Sequence, residues 1–144
     1  RALEKWAVKI GGGENHRFAL YDMIMLKDNH IDYAGGILRA VQKTKKFLKA
    51  GNLDLKIEVE TRSLQEVQEA IEADIDVILL DNMTIEMLKA GVDLVAGRCQ
   101  TEASGGITEE TIIQVAETGV DFISVGALTH SYKSLDMSLK ANIN

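Results

Sequence analysis

The sequence predicts an α/β fold: part of a (β/α) barrel of parallel strands with outer helices, five strands being recognisable in 144 residues. Three observations carry this. Short apolar runs alternate with amphipathic helical patterns, and such alternation means parallel strands joined by crossover helices. Polar residues recur just after several of the apolar runs, whereas an open doubly wound sheet gathers them at one switch point. A closed barrel takes about 250 residues, so 144 are too few to close one alone.

RALEKWAVKI places Leu3, Trp6, Ala7 and Ile10 at helical spacing and stops at Gly11-Gly12-Gly13. The glycine loop GGGENHR leads to a first strand over 21–27. GGILRAVQKTKKFLKAG is a helix with Ile37, Leu38, Val41 and Leu48 inward and Arg39, Lys43, Lys46 and Lys49 on a solvated face. LKIEVET alternates as a second strand. SLQEVQEAIEA opens with Ser63 and Glu66 in capping-box spacing and buries Leu64, Val67 and Ile71. VILLDN is a third strand, TIEMLKAGVDLVAG a helix and CQTEAS a weaker fourth strand. TEETIIQVAETG is a helix with acids in its first turn, and FISVGA is the fifth strand. The tail around SLDMSLKAN reads as helical. AIEADIDVILLDN and VAETGVDFISVGA echo one another, each running from a helix end through Asp76 or Asp121 into a strand.

Composition narrows the function classes. The net charge of −6, without a long basic block, argues against general nucleic-acid binding. Cys99 is the single cysteine, which excludes an intrachain disulfide and fits an intracellular, cytoplasmic setting. No apolar run approaches the roughly 18–20 residues needed to span a bilayer. The chain opens on Arg1 in the middle of a helical pattern, as a fragment would.

The chemistry collects at the strand ends. In parallel α/β folds the C-terminal ends converge on one face where ligands bind. Lys27, Glu60, Asp81, Glu102, Ser104 and Gly126 belong there, with Glu58 one layer deeper on the face that carries Glu60. Glu60 and Asp81 come from successive strands, and paired carboxylates suit a hard cation such as Mg²⁺. Separate ion pairs with neighbouring lysines or arginines explain them equally well. His16 and Arg17 follow the glycine loop, and a guanidinium fork suits carboxylate or phosphate. Lys27 is an anion contact, an imine-forming amine or simply the partner of Asp28. His30 is weak evidence alone. Ser104, Gly105 and Gly106 precede a helix start, where free N–H groups attract anions. Val125, Gly126 and Ala127 form a second small turn with His130 close behind. Two glycine loops after late strands are the usual phosphate grip of such barrels.

GGGENHR, LYDMIMLKDNHI, IEVET, VILLDNM, EASGGIT and TGVDFISVGALTHS, in this order, resemble the nicotinate-nucleotide pyrophosphorylase family, also called quinolinate phosphoribosyltransferase. The likeness runs from residue 11 almost to the C-terminus. It implies transfer of phosphoribosyl from 5-phosphoribosyl-1-pyrophosphate to quinolinate. Nicotinate mononucleotide, pyrophosphate and CO₂ are formed with Mg²⁺, for NAD biosynthesis. By the same resemblance His16 and Arg17 contact the quinolinate carboxylates, and Lys27 lies between base and donor. Glu60 and Asp81 surround the ribose and metal-pyrophosphate. Ser104 to Gly106 and Val125 to Ala127, with His130 near, hold the 5′-phosphate.

The family also implies a separate N-terminal domain and a first barrel segment with a Thr-Arg-Lys motif, neither present in residues 1–144. It implies a homodimer or higher homo-oligomer whose neighbour supplies an arginine to the base site. The expectation is that these 144 residues alone have little turnover. Competing readings are a same-scaffold paralogue acting on another base, a (β/α)-barrel aldolase or lyase using Lys27 as an imine, and a structural remnant that only binds phosphate.

Overall fold

The computed structural model describes residues 1–17 and 19–141. It runs α1 (Ala2–Ile10), β1 (Ile24–Leu26), α2 (Asp28–Ala34), α3 (Ile37–Gly51), β2 (Ile57–Thr61) and α4 (Leu64–Glu72). Then follow β3 (Val77–Asp81), α5 (Ile85–Val95), β4 (Gln100–Ser104), α6 (Ile112–Glu117), β5 (Phe122–Ile123) and α7 (Ala127–His130). Among the described residues the strands form one parallel sheet in the order β1-β2-β3-β4-β5. Sequential order decides between the two architectures. Right-handed crossovers that never reverse direction put every connecting helix on the same side, which is the arc of a barrel. A doubly wound sheet would switch order and carry helices on both sides.

The two faces of the sheet differ accordingly. Ile57, Val59, Ile78, Leu80 and Ala103 pack outward into one core with Val41, Leu48, Val67, Ala70, Leu88, Val95 and Val115 from the helices. The alternate residues face the concave side, because successive side chains of a strand point to opposite faces. Val77 and Leu79 are buried there, outside the helical core, and beside them Glu58 and Glu102 are buried too.

The echo around Asp76 and Asp121 is a repeated strand-pairing device. Asp76 accepts from the Ile57 N–H at 2.8 Å through Oδ2 and donates its own N–H to the Ile57 carbonyl at 3.1 Å. Asp121 does the same to Thr101, accepting at 2.7 Å from the N–H and at 2.9 Å from Oγ1. Each carboxylate thus closes the open N-terminal end of the preceding strand, satisfying a donor the ladder leaves over.

Several boundaries correct the expectations. The first strand is only Ile24–Leu26, because Asp28–Ala34 forms a helix that periodicity did not reveal. Its N-cap is Lys27, whose N–H is accepted by His30 Nδ1 at 3.0 Å, so His30 caps the helix. In α3, Leu38 is exposed and Ala40 takes the inward place. Val67 and Ala70 line the deepest part of α4, with Leu64 and Ile71 at its margin. Ser63 accepts from the Glu66 N–H at 3.2 Å, but the Glu66 carboxylate reaches the Arg62 N–H instead, so only half of the capping box forms. α6 starts at Ile112, after a turn in which Thr108 accepts from the N–H groups of Thr111 and Ile112. Glu109 and Glu110 therefore precede the helix and contribute nothing to its first turn. β5 ends at Ile123, and residues 132–141 of the tail form no helix; residue 142 lies outside the described residues. The tail side chains Leu135, Met137 and Leu139 are exposed and find no partner surface to stabilise a helix.

Candidate active site

The strand C-termini all lie on one rim, and the expected residues divide into three groups along it. On β2 and β3, Glu60 and Asp81 emerge side by side. Burial, first, and then the charge of Asp81 raise the Glu60 carboxyl above the ordinary carboxylate range. The N–H of Asp28 and the Lys27 ammonium pull in the opposite direction, so Lys27, at the end of β1, lies near Glu60. Lys27 is itself exposed.

The second group ties the acids to the glycine loop. Asp81 Oδ1 accepts from Ser104 Oγ at 2.5 Å and Oδ2 accepts from Asn82 Nδ2 at 2.7 Å. Asn82 has φ +52 and its N–H reaches the Ser104 carbonyl at 2.9 Å. Gly105, at φ +94, closes over it: a Cβ there would lie 2.3 Å from Asn82 Oδ1. Gly106 follows at φ +61. The loop is therefore shaped by left-handed backbone that only glycine adopts cheaply. The expected link to a helix N-terminus fails, because the Thr108–Thr111 turn separates Gly106 from α6.

The third group lies deeper. His16 Nε2 sits 2.8 Å from Glu58 Oε2 and 3.6 Å from Glu102 Oε1, and Ser124 Oγ donates to Glu102 Oε1. The Glu58 side chain is 0% exposed and that of Glu102 8%. The interaction with Glu58 raises the imidazole above its ordinary value although burial opposes it. Burial, reinforced by the charge of Glu58, raises the Glu102 carboxyl. These groups border a cavity of about 640 Å³ that also touches Lys5, Val125, Gly126 and Thr129.

Arg17 adjoins His16, half-buried. Its carbonyl accepts from Lys5 Nζ at 2.5 Å, and no described carboxylate pairs with its guanidinium. Gly126 opens α7 with the His130 ring against it, where a Cβ would lie 2.9 Å from Nε2. His130 Nδ1 and Ser131 Oγ are 2.7 Å apart.

The rim thus brings together Lys27, Glu60, Asp81, Ser104 and Gly105, while His16 joins Glu58 and Glu102 and leaves the Glu60–Asp81 pair to itself. The tight His16–Glu58–Glu102 trio is what sequence reasoning missed. Among the described residues it is the arrangement of such groups compact enough to grip a cation, its ligand atoms lying within 4.8 Å of one another. A signal existed: Glu58, Glu60 and Glu102 occupy concave-face positions of strands, where unpaired acids are costly. The partner, His16, comes from a loop with no periodicity to place it.

Known proteins share the sequence and fold that carry this site. The family model for the quinolinate phosphoribosyl transferase C-terminal domain matches residues 1–140. The chloroplastic nicotinate-nucleotide pyrophosphorylase [carboxylating] of Arabidopsis thaliana is 50% identical over 155 residues, covering 97% of this chain and 44% of the relative. The probable nicotinate-nucleotide pyrophosphorylase [carboxylating] of Bacillus subtilis is 47% identical over 144 residues, covering 100% of this chain and 49% of its own length. NadC of Streptococcus pyogenes superposes with a TM-score of 0.91 at 44% identity, over 97% of this chain and 48% of that one. The chain spans just under half the length of these relatives. A rim of acids facing a cation and glycine turns, on a barrel arc that superposes this well, places the chain in the quinolinate phosphoribosyl transferase family, matched through its C-terminal domain.

Proposed function

We propose that this chain forms the phosphoribosyl-transfer site of an enzyme that joins quinolinate to 5-phosphoribosyl-1-pyrophosphate with loss of CO₂, giving nicotinate mononucleotide and pyrophosphate. The observation that carries the reading is the adjacency of Glu60 and Asp81 at neighbouring strand ends, with Ser104 fastened to Asp81 at 2.5 Å under the Gly105 turn.

Departure of pyrophosphate leaves positive charge on ribose C1 and the ring oxygen. In this reading the Glu60 and Asp81 carboxylates stabilise that cation, and a preorganised charge costs no reorganisation as the reaction proceeds. Lys27 offsets the charge of the leaving group. His16 and Arg17 bind the acid groups of the base, Arg17 with a guanidinium that no described carboxylate neutralises. Attack by the pyridine nitrogen on ribose C1 makes a pyridinium, which stabilises the electron pair left on the ring carbon as the adjacent carboxylate leaves as CO₂, and that carbon then takes a proton from solvent. The Ser104–Gly106 and Val125–Ala127 turns, with His130, hold the 5′-phosphate.

Hard oxygen donors that repel one another at Glu60 and Asp81 fit Mg²⁺, directly or through water and pyrophosphate. When bound it would neutralise the phosphate charge of the donor. Lys27 is exposed, whereas desolvation is one of the ways an imine-forming lysine is activated, which disfavours the aldolase reading.

Calorimetric titration of the chain with 5-phosphoribosyl-1-pyrophosphate, with and without Mg²⁺, tests this. Metal-dependent binding is expected. Equal affinity with and without metal, or a borohydride-trapped adduct on Lys27, would defeat the reading.

A further inference from the structure

We infer that Glu58 and Glu102 are positioning residues for His16: they hold the imidazole by Nε2 between two buried carboxylates and so keep Nδ1–H as a donor to an acidic ligand. This rests on the reading that His16 meets a carboxylate of the base.

The geometry supports it at each step. Glu58 is wholly buried, neither of its carboxylate oxygens has a well-aligned hydrogen-bond donor among the described residues, and the polar groups that approach it are the His16 imidazole and the Glu102 carboxyl. A buried, unpaired carboxylate is strongly disfavoured, so the sheet needs a proton or a cation at that point. His16 Nε2, 2.8 Å from Glu58 and 3.6 Å from Glu102, is the group that reaches both. Ser124 donates to the same Glu102 oxygen and limits its motion.

Once Nε2–H is given to Glu58, the remaining nitrogen decides what the ring can bind. Neutral imidazole would present Nδ1 as an acceptor and would repel a carboxylate; imidazolium presents a second donor. Two acids beneath the ring favour imidazolium. The other charged groups about it among the described residues are Arg17, next in the chain, and Lys5, Glu14, Asp22 and Lys56 on the cavity wall. Arg17 opposes the ring's charge, but it is outweighed by the two carboxylates. His16 would then act with Arg17 as a two-donor reader of a diacid.

The test is ¹⁵N-resolved NMR of the three histidines, His16, His30 and His130, across pH in the 144-residue chain. His16 is expected to keep protons on both nitrogens to higher pH than an ordinary histidine, and to lose this in E58Q. E58D should retain part of it. E102Q should show a smaller loss, and it stands in if E58Q fails to fold. Quinolinate titration followed by the same signals should weaken at least tenfold in E58Q, with metal-dependent 5-phosphoribosyl-1-pyrophosphate binding unchanged. His16 titrating at the ordinary histidine value, or unaltered by both substitutions, would overturn the inference. So would Zn²⁺ added to the chain taking the place of the proton within the trio. If quinolinate fails to bind while His16 still responds to E58Q, the positioning stands and the reading of the base site falls.

Discussion

Ser104 Oγ donates to Oδ1 of Asp81 at 2.5 Å, joining the last residues of β4 and β3, which are also register partners. The first residue of the glycine loop therefore orients the acid proposed to face the metal and ribose. Groups that orient a ligand from behind typically change metal affinity 10–100-fold when removed. S104A is expected to weaken Mg²⁺-dependent donor binding by about tenfold, with little change in melting temperature. Calorimetry and a thermal melt on the same sample check both halves.

Gly105 admits no side chain. With φ +94 and Asn82 Oδ1 at 2.3 Å from the position of a Cβ, G105A must both strain the backbone and expel Asn82. The expected cost is about 1–3 kcal/mol of stability, read from urea unfolding. Donor binding should fall with it, since Asn82 also donates to Asp81. Wild-type stability in G105A would contradict the tight turn.

Asp76 and Asp121 lie at the opposite ends of the strands, where the barrel rule assigns stability and not catalysis. D121A removes an acceptor from two donors of Thr101 and should cost about 1–3 kcal/mol. D76A strands one donor, that of Ile57, and should cost less. Neither should alter Mg²⁺-dependent binding, so the pair separates a folding defect from a site defect in the same titration.

His16 and Glu102 make stability fall as pH rises. Both have folded-state values raised above the unfolded ones, about 6.5 for a histidine and 4.5 for a glutamate. Each contribution is fully present below the unfolded value and is lost as pH climbs through the folded value. Urea melts between pH 5 and pH 9 should show less decline in E102Q than in the wild type, because the amide cannot ionise. A steeper decline in E102Q would reverse the assigned sign.

Lys27 is expected to act by charge alone. K27A should raise the proton affinity of Glu60 further, since the ammonium opposes that rise, and should weaken donor binding about tenfold or more. Borohydride with a carbonyl substrate should leave no adduct on the wild-type lysine.

Much of this was legible before any coordinates. IEVET and VILLDN announce strands by period two and by β-branched content, and Glu60 and Asp81 fall at their ends by counting alone. The Asp76 and Asp121 echo was visible as a pattern, though not what it bonds. α2 escaped because DNHIDYA buries only Ile31 and has no apolar stripe to betray it. The expected fifth strand is too long because Val125 and Ala127 resume small apolar residues beyond Ser124, whose side chain already turns to Glu102.

The sequence by itself determined the order of the strands along the chain and the main crossover helices between them, the rim on which the acids emerge and the glycines of the turns, because these follow from local periodicity and backbone sterics. Only the tertiary structure decided that the strands run in unbroken order, that Ser104 grips Asp81, and that His16 falls between Glu58 and Glu102. Those are contacts between residues 23, 42 and 86 positions apart in the chain, and no local rule brings such groups together. The sheet does so, because carboxylates taken out of water on its concave face must find a donor wherever the chain supplies one.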